Sequence, residues 1–438
     1  MTSLVSRRGL LIASGTTAAA LAVGAPSTAT ATPAYLGRSS TGRGVVIAWN
    51  KTLLRIVRTP GAHPATVHPT RSFAILHAAI HNAVVATTRT GKPYLFAVDT
   101  EWDASPIAAA AQAAHDVLVA LYPARAPSMD RQLAADLSRV AHRRARAAGI
   151  SAGRLTAKLL LDLRSGDGSS ATPRRLPAGT EPGQYRPTPP AFAPAVFTHW
   201  PEVTPFLINR ADRFRSGAYP ALSSHQYAAA TNEVDHLGRK TSTTRTNDQT
   251  EQAHFWAAPI WNYWNEIAQA AVRTAGSNLV ESARVFAHLN LAFADAVIAF
   301  YDAKYHYRIW RPVTSIRLAG TDTNRSTTPD PAWNSLGKTP ADPAYPGAHS
   351  VIAQTGAILL RDEFGRGREL AVRSEALPGV IRRFRTFEDI ADEAGLSRIY
   401  AGVHTRLDHQ AGQELGRALA RFVRGSTFVT RDSAQSAG

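Results

Sequence analysis

An all-α fold, a helical bundle with long Pro-rich loops, is predicted by three features of this sequence. The first is apolar residues at three- and four-residue spacing in Ala-rich segments at 69–88, 106–122, 129–148 and 151–165. The second is the return of that period at 223–238, 248–274 and most strongly 280–308. In this last run Val280, Ala283, Phe286, Leu289, Leu291, Ala294, Val297 and Ile298 fall mainly on one side. The third is the scarcity of strand-like alternation. Ser105-Pro106 and Pro127-Ser128-Met129-Asp130 have the form of helix starts. Between 165 and 222 the period dissolves into Gly, Pro and Ser, and a second Pro-rich loop spans 323–346 before a helix from about Ser350 to Asp362. Loops of that length are more often functional than idle.

The chain has 438 residues, enough to bury a substantial core. Ser6-Arg7-Arg8-Gly9-Leu10-Leu11, followed by an apolar run to Ala25 and the small-residue site Ala29-Thr30-Ala31, has the twin-arginine export pattern. Residues 1–31 are therefore expected to be a signal peptide and the product to be extracytoplasmic. The remainder divides into an N-terminal extension at 32–68, a helical region and long loop at 69–222, a C-terminal helical catalytic region at 223–425 and a tail at 426–438. No later stretch reaches the roughly 18 unbroken apolar residues of a membrane span.

The chain contains no cysteine, which excludes disulfides, thiolate metal sites and cysteine nucleophiles. Its formal charge is +16; removing Arg7 and Arg8 leaves 47 basic against 33 acidic residues, or +14. Such a chain attracts anions. The basic residues are dispersed, with no zinc-finger spacing or basic arm, so nucleic acid is not the expected partner. No feature specifies an oligomeric state.

Three segments concentrate cations and histidines. In Lys304-Tyr-His-Tyr-Arg-Ile-Trp-Arg311-Pro312 the seven-residue spacing amounts to two helical turns, which sets Lys304 and Arg311 near one face. Two adjacent cations repel unless an anion lies between them. Lysine is rare in this chain, which has six, and Lys304 ends an apolar helix. In Tyr345-Pro346-Gly347-Ala348-His349-Ser350 a helix opens, and its free N–H groups with small residues at Gly347 and Ala348 suit an anion, with His349 at the edge. In Ser397-Arg398-Ile-Tyr-Ala-Gly-Val-His404-Thr-Arg-Leu-Asp408, helical spacing lets Asp408 fix the His404 tautomer, and Arg398 adds a planar cationic fork. Each segment alone has a bland reading: a helix C-terminus complementing its dipole, a capping turn, an isolated His–Asp pair.

In order and spacing the three together resemble the superfamily that joins type 2 phosphatidic acid phosphatases, bacterial acid phosphatases and vanadium-dependent haloperoxidases. That pattern is Lys, six residues, Arg-Pro; then Pro-Ser-Gly-His; then Ser-Arg, five residues, His, three residues, Asp. Wider similarity to the soluble bacterial haloperoxidase-like branch runs from about residue 70 to 420, through His81-Asn82-Ala83 and Phe293-Ala294-Asp295. The resemblance implies a helical bundle in which Lys304, Arg311 and Arg398, with the Gly347 and Ala348 amides, hold an oxyanion. His404 bonds the vanadium or phosphorus, Asp408 orients His404, and His349 is the acid/base. It implies vanadate as cofactor with hydrogen peroxide and halide as substrates, the metal activating peroxide as a Lewis acid. The same residues in a metal-free phosphatase would act on a phosphate ester through a phosphohistidine. A third reading is an oxyanion-binding protein whose catalysis has decayed.

Two positions depart from the family pattern. Gly347 stands where the motif has Ser, so a hydroxyl donor is missing although both backbone amides are expected to remain. Asp342 stands where haloperoxidases carry an aromatic or His residue near the halide, and a carboxylate there repels halide. Elsewhere, His77 and His81 have metal-pair spacing on a helix without a carboxylate ligand nearby. The processed chain would contain a single methionine, Met129, which suits a protein exposed to strong oxidants.

Overall fold

Helix α9 (Leu279–Tyr307) is the axis on which the rest is built. Its first turn is fixed by a capping box in which Asn278 and Glu281 satisfy each other's backbone N–H groups. Burial is nearly continuous from Ser282 to Lys304 rather than confined to one side. A helix apolar all round belongs inside a core. It is long and apolar enough to cross a membrane, and 94% of that apolar window is buried among its neighbours.

The computed structural model describes residues 40–366 and 369–425. The expected signal peptide, residues 32–39 and the 426–438 tail lie outside them. Around α9 pack α1 (Ser40–Arg58), α2 (Pro69–Thr88) and α8 (Ile260–Thr274) on one side, and α11 (Ala348–Phe364) and α13 (Arg406–Arg424) on another. Helix α3 (Pro106–Leu121) joins α2 to α4 (Ala126–Ser138) and α5 (Arg143–Ser165). Helices α6 (His225–Gly238) and α7 (Asn247–Phe255) flank α12 (Phe387–Tyr400), and α10 (Pro312–Arg317) lies against α6. One antiparallel hairpin, Leu370–Arg373 with Ile381–Phe384, is the only sheet among the described residues.

The all-α expectation holds, with local differences that have physical reasons. Helix α1, which buries Val45, Val46, Trp49 and Leu53, occupies part of the expected extension. The 248–274 run is two helices, broken at Trp256–Pro259 because Pro259 cannot continue α7 and caps α8. Helix α3 begins as expected, with the Ser105 hydroxyl accepting from Ala108 N–H and Pro106 following.

The long loop 166–224 has only short 3-10 turns, but it is bound tightly to the core. Asp295, fully buried in α9, accepts from the backbone N–H groups of Phe206, Leu207 and Ile208 at 2.6–2.8 Å. Arg164 donates to the Thr204 and Pro205 carbonyls and lies 3.8 Å over the Phe206 ring. The same loop reaches the functional end of the bundle: Tyr185 N–H donates to Arg308 O, Trp310 N–H to Gly183 O, and Val196 N–H to Ala341 O.

Asp295→Asn removes one acceptor and turns an NH2 toward backbone donors, leaving at least one buried N–H unpaired. We expect a loss of about 1–3 kcal/mol in urea unfolding, together with faster proteolytic cleavage between residues 166 and 224. Unchanged stability and cleavage would show that this carboxylate does not hold the loop.

Candidate active site

The third sequence motif spans the end of one helix and the start of the next, not a single helix. Helix α12 closes in a Schellman turn: Val403 N–H donates to Arg398 O at 3.1 Å and Gly402 N–H to Ile399 O at 2.8 Å. Gly402 takes φ +75°, and a Cβ there would sit 2.3 Å from Gly238 O, so both conformation and contact require glycine. The turn carries His404 back over Arg398 O, to which its N–H donates at 3.3 Å. Helix α13 then starts with a capping box between Thr405 and Asp408. The expected orientation of His404 by Asp408 is present, Nδ1 lying 3.2 Å from Asp408 Oδ2, but the helix N-cap creates it rather than a shared helical face. A carbonyl or carboxylate can only accept here, so Nδ1 carries the proton and Nε2 keeps its lone pair.

Lys304 and Arg311 likewise do not share a helix. Helix α9 ends with Arg308 in the left-handed region, and the segment that follows bridges at Ile309 between Gln184 of the long loop and Ala344, whose N–H donates to Ile309 O. Arg311 precedes Pro312 and caps α10. The two cations still converge. Lys304 Nζ, fully buried, donates to the Pro343 carbonyl and to Ala344 O at 3.3 Å. Arg311 donates from Nε to Asp342 O at 2.7 Å and from Nη1 to Val403 O at 2.8 Å and His404 Nε2 at 3.1 Å. The anion expected between Lys304 and Arg311 is supplied by the chain: Asp342 Oδ1 pairs with Arg311 Nη2, and Oδ2 lies 3.6 Å from Lys304 Nζ.

The second motif opens α11 as expected, with Gly347 at the N-cap. Its N–H, however, is not free for a ligand, because it donates to Asp408 O at 2.8 Å. The first-turn amides from Ala348 onward are the ones without an intrahelical acceptor. Close approach of α13 fixes this turn: a Cβ on Gly412 would lie 2.6 Å from Gly347 O, and one on Gly347 would lie 3.1 Å from Asp408 O. His349 Nε2 donates to Trp256 O at 3.0 Å, which leaves Nδ1 as the acceptor. Arg398 Nη1 reaches the same carbonyl at 3.4 Å, so the break between α7 and α8 joins His349 to Arg398.

Electrostatically the cluster is short of acid. Arg398 is 6% exposed, its Nε has no hydrogen-bond partner, and it forms no ion pair among the described residues. Burial and the neighbouring Arg311 bring its pKa down to about 10, so it remains charged at neutral pH. Burial brings Lys304 down to about 8 against the opposing pull of Asp342. His404 is held well below the ordinary imidazole value by burial and then by Arg311, Lys304, Arg398 and His349, so it is neutral. Burial also depresses His349, with Arg398 assisting. Asp408 is pushed up to about 6 by burial, opposed by Thr405 and the cations, and its Oδ1 has no partner. The donor set is therefore a buried group of cations and amides beside a neutral imidazole whose Nε2 accepts from Arg311. It suits a tetrahedral oxyanion such as phosphate or vanadate beside the His404 imidazole.

All the residues expected at the site meet at this end of the bundle. The sequence reading misses the carbonyls of Trp256, Pro343, Ala344 and Val403, because any residue type supplies a carbonyl. Thr405-Arg406-Leu407-Asp408 does carry a legible signal, since its spacing resembles a capping box. His77 and His81 serve other purposes: His77 bonds Asn50 and stacks on Phe286, and His81 bonds Lys92 O. No metal-binding group of His, Asp and Glu occurs among the described residues.

Because Lys304 is cationic below about pH 8 and loses its charge above it, anion binding should weaken as pH rises through that value. Sulfate, a dianion throughout, should bind less tightly at pH 9 than at pH 7, and Lys304→Met should bind weakly with a flatter profile. A parental profile flat from pH 7 to 9 would exclude Lys304 from the anion site.

Comparison with known proteins agrees with this architecture. Residues 284–429 match the family model described as the VCPO second helical-bundle domain. A curated relative, the vanadium chloroperoxidase of Curvularia inaequalis, is 26% identical over 40% of this chain and 38% of its own, so the match spans about two fifths of that enzyme. A bacterial vanadium-dependent iodoperoxidase structure superposes with a TM-score of 0.74 at 24% identity, covering 87% of this chain and 95% of that one. The holo form of a bacterial vanadium-dependent chloroperoxidase gives 0.61 at 14% identity, covering 84% and 95%. The structural likenesses carry the fold, and the family model covers α11–α13 and most of α9. With the three motifs assembled on those elements, the family-model match over the C-terminal third, the curated relative and the structural neighbours support a place for this chain in the vanadium haloperoxidase superfamily.

Proposed function

We propose that this protein is a vanadium-dependent haloperoxidase-like enzyme that oxidises halide with hydrogen peroxide, exported by way of the signal at Ser6–Leu11. The observation that carries the proposal is the buried, charged Arg398 without an acid among the described residues, beside a neutral His404 whose Nε2 lone pair faces the cations. An unpaired buried guanidinium costs several kcal/mol unless an anion meets it. The relatives named vanadium chloroperoxidase and iodoperoxidase support vanadate as that anion. Lys304, Arg311, Arg398 and the Ala348 amide would hold its oxygens, and His404 Nε2 would be its protein ligand. Bound vanadate supplies Lewis-acid activation of peroxide.

The protein's own groups then divide the remaining work. Asp408 keeps the proton on His404 Nδ1, which preserves Nε2 as a ligand. His349, neutral and with Nδ1 as acceptor, is set to take a proton before it gives one. Burial of the cations excludes water and strengthens their hold on an oxyanion.

A second reading, a metal-free phosphatase in which His404 Nε2 attacks phosphorus, is favoured by one observation. Asp342 places a carboxylate against the two cations, which opposes the approach of halide. Vanadate distinguishes the two activities. In a haloperoxidase, vanadate should switch on peroxide-dependent oxidation of iodide or bromide, phosphate should inhibit, and His404→Ala should abolish turnover. In a phosphatase, vanadate should inhibit ester hydrolysis by imitating the transition state. Ester hydrolysis by vanadium-free protein, with no halide oxidation at any pH, would reject the haloperoxidase proposal.

A further inference from the structure

We infer that Asp342 is a built-in competitor for the oxyanion: its carboxylate takes one Arg311 N–H and faces the Lys304 charge, so this one side chain sets how weakly the site holds its ligand. The inference rests on the oxyanion-binding reading above and assigns the affinity of that site to one residue.

The donor inventory supports it. Arg311 has five N–H groups. Nε is committed to Asp342 O, two Nη1 hydrogens to Val403 O and His404 Nε2, and one Nη2 hydrogen to Asp342 Oδ1, leaving one. Lys304 has three N–H groups. Two meet the Pro343 and Ala344 carbonyls, and Asp342 Oδ2 lies 3.6 Å from the same nitrogen. With the carboxylate present, an incoming oxyanion finds one Arg311 N–H free, meets a Lys304 charge already faced by Asp342, and adds negative charge beside an existing one.

The obvious alternative is that Asp342 holds the two cations in place. The contacts argue against this. Backbone carbonyls alone anchor Lys304, and Arg311 is fixed by Val403 O and the main-chain carbonyl of Asp342, bonds that survive replacement of its side chain. The segment itself is tied by Val196 N–H to Ala341 O and by Ala344 N–H to Ile309 O. Removing the carboxylate should therefore free an Arg311 Nη2 hydrogen and the Lys304 charge without displacing either. A positioning role predicts looser binding on its removal, and competition predicts tighter binding.

The test measures equilibrium binding of inorganic phosphate and of orthovanadate, by calorimetry, to the full-length parent, Asp342→Asn and Asp342→Ala, with Glu101→Gln as a control. Glu101 is exposed and paired only with Arg144 at the surface, so its variant reports the effect of net charge alone. Asp342→Asn is near-isosteric, which guards against loss of fold in the alanine variant. We expect about tenfold or greater tightening for both Asp342 variants and parental affinity for Glu101→Gln. Equal or weaker binding by a folded Asp342→Asn would overturn the inference while leaving the oxyanion site standing. No binding of either anion by the parent or any variant would overturn the site assignment as well, a result distinguishable because parental affinity is measured in the same series.

Discussion

Burial of Lys304, Arg311 and Arg398 at one end of a helical bundle is the constraint on which the rest of this structure depends. Taking each cation out of water costs several kcal/mol, and among the described residues Asp342 is the acid that forms an ion pair with any of the three, with Asp408 acting on Lys304 from further away. Arg398 gains no acid at all, only a long contact to Trp256 O. Burial, reinforced by the surplus positive charge, keeps His404 neutral, and a neutral His404 with its proton on Nδ1 can present Nε2 to phosphorus or a metal. Anion affinity and the state of the imidazole therefore have the same cause.

Holding three charges with one paired acid, Asp342, requires other anchors, and chain breaks provide them. Carbonyls left exposed where regular structure stops take up the donors: Trp256 between α7 and α8, Val403 after the Schellman turn, and Pro343 and Ala344 ahead of α11. Such carbonyls are otherwise orphans at helix ends and in irregular segments. The long 166–224 loop completes the arrangement from outside by pairing with the 308–310 segment and fixing Ala341, while Asp295 and Arg164 bind it to the core. Its lack of regular structure reflects this bracing role rather than freedom of movement.

The helical fold and the identities of the charged and histidine site residues are legible in the sequence, because apolar period and unusual cation–histidine spacing are local signals. What the spacing means geometrically is less legible. Lys304 with Arg311, and His404 with Asp408, have helical spacing, yet each pair straddles a helix end, where Pro312 and Gly402 interrupt the period. The role of Asp342 is legible only as a charge out of place, since its pairing with Lys304 and Arg311 depends on contacts 38 and 31 residues away along the chain. Gly347 shows the same limit: its amide looks available as a ligand donor until packing against α13 commits it to Asp408 O.

The central claim, that this cluster exists to grip a tetrahedral oxyanion against His404, is tested most directly by crystallising the protein with orthovanadate and locating the metal from its anomalous scattering. The account predicts a single strong peak at bonding distance from His404 Nε2, with oxygens facing Lys304, Arg311 and Arg398. A structure in which vanadate at saturating concentration lies elsewhere, with His404 Nε2 still accepting only from Arg311, would contradict it.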